Sequence, residues 1–226
     1  MSRLIVGLEL RDKLVVVIGG GAVAARKCAR FVEAGASIKV ISPAPLHDAL
    51  ASLLDAHPIE WVARPYQYGD LAGAWVAVDA SGDVSARADI AAEADTERVL
   101  LNAASGGRGS LTLCATRCSG DVRVAVDTGG RSPALASMLA DALVARVGRE
   151  WGRAAKILGA LRPLLRQSEL TQRERAALSR ALARELTQRA GGEAEVFERL
   201  RVIMDEHGAV ISDDELQAIT SQVEPD

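Results

Sequence analysis

Gly19-Gly20-Gly21-Ala22-Val23-Ala24 directly follows an apolar run and opens a stretch of helical character. Its spacing is that of a G-x-G-x-x-A turn. In such a turn Gly19 lets the chain leave a strand sharply, Gly21 leaves room for a pyrophosphate against the backbone, and Ala24 lets helix and strand approach closely. The unsatisfied amides and the dipole at a helix start favour a diphosphate. The turn is therefore expected to seat a dinucleotide. At the end of the next apolar run the chain reads Val40-Ile41-Ser42-Pro43-Ala44-Pro45. An acid there would hold an adenosine ribose, and an Arg would accommodate a 2′-phosphate. Neither is present. Ser42, beside Pro43, is the ribose candidate, and the missing Arg favours NAD over NADP.

Acid–base chemistry is less sharply marked. Trp75-Val76-Ala77-Val78-Asp79 ends in a carboxylate and runs into Ala80-Ser81-Gly82-Asp83. Ligands of open α/β sheets sit beyond the C-terminal ends of the strands. That makes Asp79 and Asp83 acid–base candidates, with Ser81 beside the cofactor. Later, Thr128-Gly129-Gly130-Arg131-Ser132-Pro133 precedes a helical stretch, with Ser132 and Pro133 suited to its N-cap and N1 positions. A cation beside free amides is a carboxylate site, so Thr128, Gly129, Gly130, Arg131 and Ser132 are substrate-binding candidates. His47, His57 and His207 are scattered, and each reads as a surface residue. Cys28, Cys114 and Cys118 lack the ligand count and paired spacing of a structural zinc site and are read as reduced packing residues, so no metal is expected.

The elements that must position these groups follow from periodicity. Leu14–Ile18 and Ser37–Ile41 are short, apolar and rich in β-branched residues, as in strands buried on both faces. Between them lies a helix over 23–34, with Val23, Cys28, Phe31 and Val32 as core candidates. Further strands are expected at 59–63, 75–79 and 99–102, alternating with helices at 46–56 and 85–94. Alternation of this kind implies a parallel, doubly wound sheet with right-handed crossovers. Two strands at 111–117 and 121–127, joined through Cys118-Ser119-Gly120, read as a hairpin. Helices are then expected at 134–147, 150–166, 171–189, 193–206 and 213–221, broken at Gly191-Gly192 and His207-Gly208. The fold class is α/β: a Rossmann domain over 1–112, a small region over 113–147 and a helical domain over 148–226. The formal charge of −3 gives no general attraction to nucleic acid or an anionic membrane. No apolar run reaches the ~18–20 residues of a bilayer span, and the start lacks a signal-peptide pattern. A cytoplasmic location is expected.

Two separated motifs carry a resemblance. Leu8-Glu9-Leu10-Arg11-Asp12-Lys13 leads into a Gly-Gly-Gly-x-Val-Ala-x-Arg-Lys turn, Gly19 to Lys27, and Ala125-Val126-Asp127-Thr128-Gly129-Gly130-Arg131-Ser132-Pro133-Ala134-Leu135-Ala136 follows in the same order. The chain resembles the precorrin-2 dehydrogenase/sirohydrochlorin ferrochelatase family, the dehydrogenase–chelatase half of siroheme synthase. That resemblance implies an NAD-binding Rossmann domain, a dimerisation region over 113–147, a homodimer and NAD-dependent oxidation of precorrin-2 to sirohydrochlorin. It also places Asn102 on the substrate side. One departure matters: the family has an Asp, implicated in oxidation and chelation, after a strand ending Asn-Val-Val. Here the segment reads Leu101-Asn102-Ala103-Ala104-Ser105, so Ser105 takes the catalytic position without a carboxylate. This weighs against chelation. It leaves open two alternatives: a non-catalytic NAD- or tetrapyrrole-binding partner, and a sirohydrochlorin chelatase without dehydrogenase activity.

Overall fold

The computed structural model describes residues 3–188 and 193–221. The chain divides into two compact units. Val6–Leu113 is one, and the other joins the first few residues to the stretch from Cys114 onward.

The first unit is a five-stranded parallel sheet of order β3-β2-β1-β4-β5. Its elements in chain order are β1 (Leu14–Ile18), α1 (Ala22–Glu33), β2 (Ser37–Ile41), α2 (Asp48–Ala56), β3 (Ile59–Val62), β4 (Val76–Asp79), α3 (Arg87–Thr96) and β5 (Leu100–Ala103). Val15, Val17, Val76 and Val78 pack with Ala24, Cys28, Phe31 and Leu50 from α1 and α2 on one face. Val16, Ile18 and Ala77 pack with Ile90 and Ala94 of α3 on the other. This explains the unbroken apolar run of β1, since residues of both parities face a core. The strand order reverses between β1 and β4. Ile18 pairs with Asp79 there, and Asp79 pairs in turn with Ala103 of β5.

The second unit opens with an antiparallel hairpin, β6 (Ala115–Ser119) and β7 (Val122–Val126), on which α4 (Pro133–Val144) packs through Ala136 and Ala140. Four helices follow: α5 (Arg149–Gln167), α6 (Gln172–Gln188), α7 (Glu193–Glu206) and α8 (Asp213–Ser221). Leu161, Leu165, Leu178, Leu182, Leu200 and Leu216 meet in their common core. The leucines of α6, at 178, 182 and 186, are four residues apart and therefore share one face.

Several expectations change in detail. The strand expected at 111–117 begins only at Ala115, because Leu111 and Leu113 pack into the core of the first unit as irregular chain. Ser119 is still paired, with Val122, so the turn is Gly120-Asp121 rather than Cys118-Ser119-Gly120. Gly120 has φ +54°, as a II′ turn requires of its first central residue. His47 stands before α2 as its N-cap, accepting a hydrogen bond from the Ala49 amide. Val23 is 38% exposed and does not join the core with Cys28 and Phe31. The expected break at Gly191-Gly192 and the end of the helix at 189 lie outside the described residues. Among the described helices none is long and apolar enough to cross a membrane.

Candidate functional site

The glycine turn joins β1 to α1. Gly19 has φ +116°, a region closed to most side chains. A Cβ there would fall 2.4 Å from the Ala80 carbonyl oxygen, so the turn after β1 lies directly against the chain leaving β4. At Gly20 a Cβ would meet Ser42 Oγ at 2.6 Å and Leu46 Cδ2 at 2.7 Å. The Gly20 carbonyl also accepts the His47 amide, and the Gly19 amide donates to the Ile41 carbonyl. The chains leaving β1 and β2 are thereby locked together. Gly21 differs: it is the N-cap of α1, offers no side-chain cap, and has nothing within 4 Å of a built Cβ. Ala22 starts α1, and Ala24 is fully buried beneath it. Open space over an uncapped helix start, with Val23 exposed beside it, fits a diphosphate.

Ser42 is buried, and its hydroxyl donates to the Pro43 carbonyl at 3.2 Å. Its own carbonyl accepts Trp61 Nε1 at 3.0 Å. It therefore stands at the end of β2 as expected, but its hydroxyl is turned to packing against Gly20.

Asp79 ends β4 at 1% exposure. Its Oδ1 accepts the Ser81 amide at 3.1 Å and the Ser81 hydroxyl at 2.7 Å. Its Oδ2 is buried and has no hydrogen-bond partner. Its main-chain carbonyl accepts the amides of Ala104 and Ser105, which clamps the chain leaving β5 onto β4. Ser81 also accepts the Asp83 amide, at 3.1 Å. Asp83 itself is exposed and receives the Ser85 amide and hydroxyl at 2.8 and 2.6 Å. The Ser85 hydroxyl, then the Ser85 and Ala86 amides, hold its carboxyl below the usual carboxylate range. Asp83 thus organises the approach to α3 and is held as an acceptor. Ser105 accepts the Gly82 amide at 3.1 Å, tying the loops after β4 and β5.

Asn102 is engaged at both ends of its amide. Its Oδ1 accepts Lys27 Nζ at 2.7 Å, and its Nδ2 donates to the Leu111 carbonyl at 3.0 Å. Burial, then Arg30 and Arg26, lowers the Lys27 ammonium from its ordinary value. Lys27 belongs to the glycine motif, yet its partner on β5 becomes visible only in three dimensions.

Arg87 is a second residue that sequence reasoning passed over. Its Nη2 donates to the Ser105 carbonyl at 2.8 Å, and its side chain lies under Gly107, where a Cβ would meet Arg87 Cδ at 2.7 Å. Cys28 is packed under the sheet, and burial pushes its thiol up to about 12. Among the described residues no group of three or more His, Cys, Asp or Glu side chains gathers in metal-binding proximity.

The second candidate cluster belongs to the other unit. The Thr128 hydroxyl donates to the Ser132 carbonyl at 3.0 Å and accepts the Ser132 amide at 3.1 Å. Gly129 and Gly130 both have positive φ, at +66° and +77°. Ser132 Oγ accepts the Leu135 amide at 3.2 Å, the N-cap bond of α4, with Pro133 next. Arg131 is exposed. Arg3, far away in sequence, pairs with Asp127 at 3.3 Å and reaches Gly130. The loop therefore carries two cations where the sequence pointed to one.

Sheet order, glycine turn and switch point together define a Rossmann-type dinucleotide-binding unit. Residues 6–113 match a family model described as "Putative NAD(P)-binding". Siroheme synthase of Actinobacillus pleuropneumoniae serotype 3 (strain JL03) is 29% identical over 178 residues, covering 77% of this chain and 36% of that protein. Siroheme synthase 1 of Aeromonas salmonicida (strain A449) is 31% identical over 163 residues, covering 72% and 35%. The chain thus spans about a third of the length of these curated relatives. The solved structure of SirC, a precorrin-2 dehydrogenase, superposes with TM-score 0.71 at 18% identity, over 92% of this chain and 100% of that one, and shares the fold. The chain is thus similar in sequence to the siroheme synthases, in line with its motifs, and shares its fold with a precorrin-2 dehydrogenase.

Proposed function

We propose that this protein is an NAD-dependent precorrin-2 dehydrogenase, acting as a cytoplasmic homodimer. The observation that carries the reading is the glycine turn: an uncapped helix start with open space above Gly21, in a chain related to siroheme synthases. Bound NAD would supply the acceptor for a hydride from the substrate, and the one proton lost with it would leave to solvent. This converts precorrin-2 to sirohydrochlorin with two electrons accounted for. The residues that bind the dinucleotide are Gly19–Ala24 at the pyrophosphate, Ser42 and Pro43 at the adenosine side and Ser81 beyond β4. Thr128–Ser132 with Arg131, aided by Arg3, bind peripheral carboxylates of the tetrapyrrole. Residues 113–147 supply the dimer contact. Asn102 acts from behind, fixing Lys27 and the chain near Leu111.

The test is turnover. Purified protein with precorrin-2 and NAD is expected to develop the absorbance of sirohydrochlorin together with that of NADH. No product, at protein levels where a family member turns over, overturns the reading. Ser105 favours one second reading, a binding partner that holds NAD and tetrapyrrole without reacting them, since a hydroxyl cannot serve as a carboxylate base. Binding of both ligands without turnover, with activity gained by Ser105→Asp, selects it.

A further inference from the structure

Asp79 has a feature that capping a turn does not need. Its Oδ1 is satisfied by the two donors of Ser81, while Oδ2 is buried and receives none. Asp79 forms no ion pair among the described residues. Arg87, the cation of the same loop cluster, gives its Nη2 to the Ser105 carbonyl and leaves its own Nε without an acceptor. A buried carboxylate with one bare oxygen and no counter-charge is costly. It also casts an electrostatic field that water screens little.

The position of that field is what matters. Asp79 ends β4 beside Ile18, at the point where the strand order reverses, and Ala80 touches Gly19. A dinucleotide seated on Gly19–Ala24 with its adenosine toward Ser42 runs its other half across this switch point toward β4 and β5. The nicotinamide ring is cationic when oxidised and neutral when reduced.

We propose that Asp79 is an electrostatic selector that favours the oxidised, cationic nicotinamide over the reduced one. This rests on the dinucleotide reading of the glycine turn and adds to it a preference for NAD+ over NADH. It assigns Asp79 to the cofactor rather than to proton transfer from substrate. Such a preference suits an enzyme that must take up oxidised cofactor and release the reduced form.

The test is equilibrium binding of NAD+ and of NADH, without substrate, to the unaltered protein and to Asp79→Asn, with circular dichroism confirming the fold. The unaltered protein should bind NAD+ more tightly than NADH. The Asn variant should lose about tenfold or more in NAD+ affinity, an effect of the size expected from removing one poorly screened charge, and change little toward NADH. Equal affinities in variant and unaltered protein, or equal losses for both ligands, overturn the proposal. If Asp79→Asn does not fold, the unaltered protein decides through nicotinic acid adenine dinucleotide, whose ring carboxylate offsets the ring charge. Binding at least about tenfold weaker than NAD+ supports the selector, and equal binding overturns it. Failure of the unaltered protein to bind NAD+, NADH or ADP-ribose is a different result, because it removes the dinucleotide reading itself.

Discussion

At Gly21 the backbone has φ −86° and ψ −177°, a conformation open to any residue, and a built side chain meets nothing. The fold alone therefore tolerates alanine there. At Gly19, two residues earlier, both φ and the Ala80 carbonyl exclude a side chain. The two substitutions should separate stability from binding. Gly21→Ala should cost about 1 kcal/mol or less, the difference between glycine and alanine as N-cap, while its methyl group blocks the diphosphate and abolishes NAD binding. Gly19→Ala should cost on the order of 2–4 kcal/mol through strain and overpacking. Thermal melts with and without NAD check both. Loss of NAD binding only in step with loss of fold would contradict this division of roles. The spacing of the turn and the roles expected of Gly19 and Gly21 came from the sequence, but the neighbours that close off Gly19 and Gly20 did not: Ala80, Ser42 and Leu46 are brought in by the fold from elsewhere.

Among the elements, legibility tracked locality. β1, α1 and β2 lie within Leu14–Ile41, and their periodicity and turn chemistry are complete within that span. The stretch 104–114 is different. Leu111 and Leu113 look like strand residues, yet the Leu111 amide bonds to the Leu101 carbonyl and Ser110 Oγ accepts the Leu101 amide, so irregular chain lines β5. Only tertiary pairing could show this. The connection from β3 to β4 also hides a device that the sequence did not reveal. Arg64 donates to both carboxylate oxygens of Asp70 at 2.8 and 2.7 Å, and the Gln67 amide joins them. The Arg64 hydrogen bonds lead in holding the Asp70 carboxyl below its ordinary value. A carboxylate lowered on folding contributes stability above its unfolded pKa, and that contribution is lost as pH falls through the lower folded value. Asp70→Asn should therefore lower the melting temperature most at neutral pH, by a few degrees, with the gap narrowing below about pH 4 as the unaltered carboxyl protonates. Melting curves across that range test it. A gap independent of pH would show that the pair contributes nothing through its charge.

At the scale of the whole molecule, α4 raises a question that one chain does not answer. The helix places Ala136 and Ala140 on the hairpin, while Leu135, Met138, Leu139 and Leu143 are 55, 69, 44 and 40% exposed. Their spacing of three, four and eight residues from Leu135 puts them on one helical face. The hairpin beneath has only two strands, an arrangement of marginal stability without further packing. An apolar helix face over a two-stranded sheet is suited to covering by a second copy, with the same patch used on both sides of a two-fold axis. This is the physical argument for the proposed dimer contact in residues 113–147. Met138→Glu combined with Leu139→Glu places two charges on that face in each copy, so a symmetric contact must bury four like charges. The unaltered protein should run as a dimer by light scattering, and the double variant as a monomer with unchanged helical content. Because both residues are exposed, the change should leave the packing of Ala136 and Ala140 on the hairpin intact. A monomeric unaltered protein, or a variant that stays dimeric, would move the contact elsewhere and leave the exposed face of α4 without this explanation.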